Sequence, residues 1–366
     1  MRNLLTAAVP LLCCSLAPTL AAQQTLLVGP GQTFATIQAA INAAASGDTV
    51  LVVGGSHAGP FDIDKPLQLV GAGGTIQGTG LTGFQVHDLA AGEAVVIRGF
   101  HLNNSTVSPI LIENCAGPVT VHDVGNPGGL TGWAVVILNS AQVHVARVRI
   151  NTATVTESAV AFEQCQFEPP ATFLPTLNAT ASSVSLVQCT MRGSFTIGTS
   201  ALQLTSSSAL ITRSSLLGTS TSFSSQPAIA ATADSVLLID PSTSLSTQGG
   251  GPTVVGTTPA FVEFGSLRAS STGSALTAEA HGPGGQIFAT YFSALAPAVA
   301  TPFGITWLDL GTLAPLYIGI LDPTTRLHLA TIPHAPQPPG LALGLQTVGL
   351  DANGIVLGQP TVVTFP

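Results

Sequence analysis

Ionisable side chains are rare in this sequence, with Asp, Glu, Lys and Arg making up only 7% of it, and those between residues 98 and 166 recur at a spacing that groups them. Arg98, His122, Ala146 and Glu163 follow one another at intervals of 24, 24 and 17 residues. One position further along stand Gly99, Asp123, Arg147 and Gln164, and two beyond that His101, Gly125, Arg149 and Gln166. His144 lies just ahead of the third group. Guanidinium, imidazole and carboxylate at neighbouring positions are the groups that take and return a proton. They also hold anionic ligands through charge-assisted hydrogen bonds. Arg98, Arg147, Arg149, His101, His122, Asp123, His144 and Glu163 are therefore the candidate site residues, with Glu113 as a further carboxylate.

Other chemistries lack their residues. The eight histidines never pair at metal-ligand spacing, there is no Cys-x-x-Cys, and no glycine-rich loop opens a helix to cradle phosphate. No metal ligand and no cofactor are expected. A Gly-x-Ser-x-Gly nucleophile elbow needs a helix after its strand, and none is visible. Asp62 and Asp64 alternate on one face, as an exposed acidic turn or a calcium ligand pair would.

The elements that position the candidates repeat as well. The pattern Val-x-apolar-x-x-apolar (or Cys) appears at Val95/Ile97/Phe100, Val119/Val121/Val124, Val143/Val145/Val148, Val160/Phe162/Cys165 and Val184/Leu186/Cys189. Looser copies stand at Ala209/Ile211/Ser214, Val236/Leu238 and Leu67/Leu69/Ala72. A period in the low twenties with strand alternation inside each copy is the signature of a solenoid whose coils bury their apolar faces only by stacking. Alternation sends Val95 and Ile97 inward and Val96 and Arg98 outward. Glycine or small polar residues suit the corners between such short strands. Cys165 and Cys189 share an inward position on successive coils, as stacked thiols or as an inter-coil disulfide, and Cys115 reads as a buried small hydrophobe.

A first coil needs a cover. "TFATIQAAINAAASGD" supplies it as a helix over about 33–46, with Phe34, Ile37, Ile41 and Ala44 at helical spacing and Gly47 ending the run. Residues 1–22 read as a secretory signal with Arg2, an apolar run from Leu4 to Leu16, and cleavage near Ala21 or Ala22. Without Arg2 the balance is 17 acidic against 8 basic residues, a net −9, which disfavours nucleic acid or an anionic membrane surface as partner. No later stretch is long and apolar enough to span a bilayer. After about residue 260 the repeat stops. "GQIFATYFSAL", "FGITWLDLG", "LALGLQTVGLD" and "GQPTVVTF" then read as strands of a small antiparallel β-sandwich-like module over 261–366. The expected fold is all-β, a right-handed parallel β-helix over 23–260 with an N-terminal capping helix, followed by that module.

Phe34, Ile37-Gln38, Ala40-Ile41, Gly47-Asp48-Thr49-Val50, the Gly-Gly-Ser turn at 54–56, Lys65-Pro66-Leu67 and Gly71 resemble the N-terminal segment of the pectate-lyase-like right-handed parallel β-helix superfamily. His57 stands where the family usually has tyrosine. The resemblance implies one of two functions. Polysaccharide lyases on this fold use an Arg or Lys base beside a uronate carboxylate, with calcium stabilising the resulting anion. That would give Arg98, Arg147 or Arg149 as base, His122, Asp123, Glu163, His101 and His144 as substrate-binding groups, and Asp123, Glu163 or Glu113 as calcium ligands. The hydrolase strings are missing: the only Asn-Thr in the repeats is "NTA" at 151–153, there is no Asp-Asp, and His281-Gly282 lies in the tail. Poverty of charge favours the other function, a non-catalytic extracellular or cell-surface scaffold, with a polysaccharide or cell-surface glycan as partner.

Overall fold

The computed structural model describes residues 23–365, apart from 78–82, 103–109, 126–132, 170–174, 195–197, 221–224, 262–264, 273, 294, 302–303, 309–310, 336, 338–341, 352–353 and 359–360. Residues 1–22, which the sequence suggests are a secretory signal, lie outside the described residues. The valine-rich runs pair in parallel and in the register of the repeat: Val95, Val119, Val143, Val160, Val184 and Ala209 are successive partners in one eleven-stranded sheet. On the opposite side of each coil a thirteen-stranded parallel sheet carries Phe84–His87, Ile110–Glu113, Leu177–Thr180 and their equivalents. A third, three-stranded sheet of Ser56–Ala58, Thr75–Gln77 and His101–Leu102 closes the first coils. From Arg149–Thr156 onward that third face merges with the second, because this long strand pairs with both Gln166–Phe167 and Leu177–Thr180. The architecture is a right-handed parallel β-helix.

One core runs its length. Val95, Ile97 and Phe100 and their equivalents on later coils are buried, and Phe61, Phe84 and Phe100 stack within it at centroid distances of 5.7 and 5.3 Å, a tilted geometry that adds about 0.5–1.5 kcal/mol per pair beyond burial. The copy expected at Val236/Leu238 is shifted by one: Leu237 and Ile239 face inward, and Val236 is 54% exposed. A one-residue slip turns every side chain to the other face, and in "VLLI" several apolar residues compete for the inward places.

The corners differ from the expectation of glycines. Two columns of residues with positive φ turn the chain, and most are not glycine: Asp88, Asn114, Asn139, Glu157, Ala181 and Ser206 in one, Asp123, Arg147, Gln164, Gln188 and Arg213 in the other. Left-handed backbone costs roughly 1–2 kcal/mol for such residues. It is held by inter-coil bonds, since Asp123 N donates to Ala146 O, Arg147 N to Glu163 O and Gln188 N to Thr212 O. At Gly99 (φ 73°) a Cβ would stand 2.5 Å from Gly71 O, so this corner needs glycine.

Just inside the first column runs a ladder the repeat pattern did not reveal. Cys115 N donates to Ser140 Oγ, Ser140 N to Ser158 Oγ, Ser158 N to Ser182 Oγ, Ser182 N to Ser207 Oγ and Ser207 N to Ser235 Oγ. Most of these hydroxyls in turn donate to the carbonyl two residues back. Amides that no strand partner reaches at the corner are thereby paired inside the core. Cys165 and Cys189 sit inside the other corner as free buried thiols, donating to Val145 O and Phe162 O.

The cap is shorter than expected. Thr36 N-caps a helix of Ile37–Ala43, its hydroxyl accepting from Ala39 N at 3.2 Å, and Ala44 is already extended. Phe34 lies outside it, bridged to Val28, while Ile37, Ala40 and Ile41 close the core. Asp48 explains its own motif, accepting Gln24 N and Ala45 N at 2.8 Å each and so tying strand to cap. His57 is buried with Nε2 3.0 Å from Gly54 O.

Beyond Ala260–Phe261 the pairing becomes antiparallel. Ser266–Ser271, Ala275–His281 and Leu327–Pro333 form one sheet, and Ile287–Ser293, Ala314–Ile320, Ala342–Asp351, Gly354–Leu357 and Thr361–Thr364 another. Leu267, Ala278, Ala280, Phe288, Leu345 and Val363 form a core of their own. Among the described residues no helix is long and apolar enough to cross a membrane.

Candidate functional site

Arg98, His122, Ala146 and Glu163 are direct neighbours across four strands of the first sheet, and Thr120, His144 and Ala161 form the parallel column two residues earlier. Both columns point out of the coil, as alternation requires. They are not solvated. The C-terminal sheets fold back over them, so that Glu163 is 6% exposed and His144 4%. Between the two surfaces lies a cleft of about 190 Å³, lined by Arg98, His122, Asp123, His144, Arg147 and Glu163 from the coil and by Ala269–Ser271, Val362 and Val363 from the module. It is smaller than the several hundred Å³ of a drug-sized pocket and suits a single small ring.

Three carboxylate arrangements give the cleft its electrostatics. Asp123 and Arg147 sit on successive corners, both with φ 54°, and their side chains meet as a fork, with Nε–Oδ1 and Nη2–Oδ2 each 2.7 Å. Burial alone would raise the Asp123 pKa, but the hydrogen bonds from Arg147 and His122 prevail and hold it well below the usual carboxylate range. The same fork raises Arg147. His122 Nδ1 stands 3.0 Å from Asp123 Oδ2, and burial nevertheless lowers the His122 pKa, so the ring is neutral at neutral pH. Glu163 Oε2 takes His144 Nε2 at 3.2 Å and Thr361 Oγ1 at 2.8 Å. Burial works to raise Glu163, and the His144 and Thr361 bonds with the Arg147 charge outweigh it, leaving the group below its ordinary value.

These bonds fix the imidazole protons. An ionised carboxylate only accepts, so the N–H lies on Nδ1 of His122 and on Nε2 of His144. In the neutral His122 ring the opposite nitrogen, Nε2, is a bare acceptor, and in His144 the nitrogen opposite the Glu163 bond is Nδ1. Both are buried and have no hydrogen-bond partner among the described residues. Arg98 completes the wall. It enters no ion pair among the described residues, its only charge neighbour being Asp123, and burial lowers its pKa.

The structure thus brings together Arg98, His122, Asp123, His144, Arg147 and Glu163. It places the remaining candidates elsewhere. Arg149 begins a strand of the thirteen-stranded sheet and pairs with Glu168. His101 is exposed on the three-stranded sheet beside Thr75, and Glu113 accepts Gln85 Nε2 on the far face. Asp62 binds His87 at 2.6 Å. Among the described residues no group of three His, Cys, Asp or Glu side chains is placed to hold a metal ion. The groups that sequence reasoning missed are Thr361, Val362, Val363 and Ala269–Ser271. They belong to strands some hundred to two hundred residues from the coils they cover, and no local pattern marks them. Neither the comparison with protein-family models nor that with curated proteins returns a match for this chain.

Proposed function

We propose that the protein is a secreted or cell-surface β-helix scaffold that binds a glycan in the cleft between the coil and the C-terminal sheets. One observation carries the reading: two buried imidazole nitrogens, His122 Nε2 and His144 Nδ1, have no hydrogen-bond partner among the described residues and line the same cleft as Arg98, which enters no ion pair among them. A buried acceptor left unmade costs about 1–3 kcal/mol. Sugar hydroxyls are donors that would satisfy both rings, and Arg98 matches the carboxylate of an acidic sugar. Asp123 and Glu163 support binding rather than calcium chemistry, because Arg147, His122, His144 and Thr361 already occupy them. Secretion is supported by the composition of residues 1–22. Membership of the pectate-lyase-like superfamily is supported by the segment 34–71 and the coil it opens.

A specific observation favours a second reading, a polysaccharide lyase. Arg98 is partly buried, and desolvation shifts it in the direction a proton-taking guanidine needs. Arg147 is shifted the opposite way by its fork with Asp123.

The deciding experiment passes the mature protein over immobilised acidic and neutral polysaccharides while following formation of unsaturated uronate, with and without calcium. The binding scaffold predicts retention on an acidic glycan that Arg98→Ala abolishes and Arg149→Ala leaves intact, without unsaturated product. Product that disappears in Arg98→Ala makes the protein a lyase. No retention on any glycan sinks the binding reading.

A further inference from the structure

The cleft between the coil and the C-terminal sheets is closed along the stack of coils. On the outward face of the first sheet, the positions that continue its columns are covered in three directions. Toward the first coils Val96, the strand neighbour of Thr120, is 3% exposed, and Gln68 on the next rung is buried as well. Toward the later coils Ala161, the neighbour of His144, is buried, and so is Val187, the neighbour of Glu163. Two residues back along the chain from His144, Gln142 is 2% exposed.

The fourth direction leads out. At the corner that follows these strands the side chains of Asp123 and Arg147 are 48% and 42% exposed, and Ser270, which lines the same cleft from the module, is exposed too. The buried Thr361–Glu163 hydrogen bond joins the two surfaces on the side of the later coils. An uncovered β-helix face offers its columns as one continuous strip, at ~4.8 Å per rung, on which a polymer can lie across many coils. Here the strip is interrupted on both sides of the stretch from Arg98 to Glu163, and the way out runs along the strands instead of along the stack.

We infer that the cleft recognises the end of a glycan chain, taking one terminal sugar residue and not an internal stretch of the polymer. The inference rests on the glycan reading given above and adds which part of the glycan is bound. A blind cleft admits a chain end, whereas an internal residue needs an exit for the chain on both sides. The volume agrees: about 190 Å³ is less than the roughly 300–1,000 Å³ of sites that enclose larger ligands. The residues that follow the terminal ring emerge past Asp123 and Arg147 into water, where they bury little surface and so add little affinity.

The test is calorimetric titration of the purified protein with galacturonate and oligogalacturonates of increasing length, and with glucose and the matching cello-oligosaccharides, at equal concentrations of chains. In the series that binds, Kd per chain should stay within about threefold from the monosaccharide to the longest member, and Arg98→Ala should weaken every member roughly tenfold. Ser270→Trp, at the exposed mouth, should weaken every member several-fold, and it keeps the test open if Arg98→Ala does not fold. An affinity that climbs more than tenfold with length, with no binding of the monosaccharide, overturns end recognition and leaves the glycan reading in place. Binding that neither variant changes puts the glycan outside this cleft and overturns the inference. No binding in either series removes the glycan reading and this inference with it.

Discussion

Thr361 donates its hydroxyl to Oε2 of Glu163 across 2.8 Å and 198 residues of sequence, joining the last strand of the C-terminal module to the outer face of the coil. The bond is buried, and its acceptor is a carboxylate whose second partner, His144, lies on the neighbouring strand. Much of what the outward polar column does follows from this contact. Residues that alternation alone would send into water are sealed beneath the C-terminal sheets.

Thr361→Val keeps the shape and removes the donor. A hydrogen bond to a buried charged group contributes about 1.5–3 kcal/mol, so the variant should lose that much stability in urea unfolding followed by tryptophan fluorescence. A loss under about 0.5 kcal/mol, within the range of ordinary surface substitutions, would show that the module is held by other contacts.

Stability should fall in two stages on acidification. The folded-state pKa of His122 is lowered from 6.5 by burial, so the unfolded chain binds a proton that the folded chain refuses, and stability declines as pH drops below about 6.5. Glu163 and Asp123 are lowered from 4.5 and 3.8; their stabilisation is complete above those values and is lost as pH falls through the lower folded-state pKa values. Urea midpoints measured from pH 8 to pH 3 should show both stages, and His122→Gln should shrink the upper one, to which His281, also lowered by burial, contributes. Because His87 is raised by Asp88 and Asp62 and acts in the opposite sense, the check is the comparison: a slope between pH 7 and pH 5 that His122→Gln leaves unchanged would contradict the neutral, buried ring.

Ser182→Ala breaks the inner ladder at one rung. It strands Ser158 N, which donates to Ser182 Oγ at 3.2 Å, and removes the hydroxyl bond to Thr180 O. A buried amide left unpaired costs about 1–3 kcal/mol. The substitution should lower the unfolding midpoint accordingly, and hydrogen exchange should speed up first at the Ser158 amide. Unchanged protection there would mean that the amide finds another acceptor.

Cys115, Cys165 and Cys189 are buried free thiols, and burial raises Cys189 well above its ordinary pKa. Thiol-reactive dye should therefore titrate none of them rapidly in a folded chain of residues 23–366 and all three in denaturant. A single reactive thiol after unfolding would mean that Cys165 and Cys189 pair in the isolated protein.

The coil was written in the sequence at the level of single positions. Val95, Val119, Val143, Val160 and Val184 are register partners because a solenoid makes each coil bury the same positions as the last, so local alternation carries the global answer. It failed at Val236, where consecutive apolar residues gave alternation no preferred face, and at the corners, where inter-coil bonds stabilise left-handed Asp, Asn, Gln and Arg in place of glycine. The serine ladder was present as letters, Ser140, Ser158, Ser182, Ser207 and Ser235. An inward hydroxyl looks like any surface serine until the amide it serves is known.

By itself the sequence determined the fold, the stacking of candidate side chains into columns and the neighbourhood of Arg98, His122, Asp123, Arg147 and Glu163, since those depend on a repeat whose contacts are between equivalent positions. Only the tertiary structure decided which candidates share a site. It set Arg149 and His101 on other faces, turned the solvent-facing column into a buried cleft, and supplied Thr361 as a partner for Glu163. The physical reason is range: coil-to-coil contacts recur every two dozen residues and leave a period to read, whereas the docking of a separate antiparallel module is a single long-range event with no repeat in the chain to announce it.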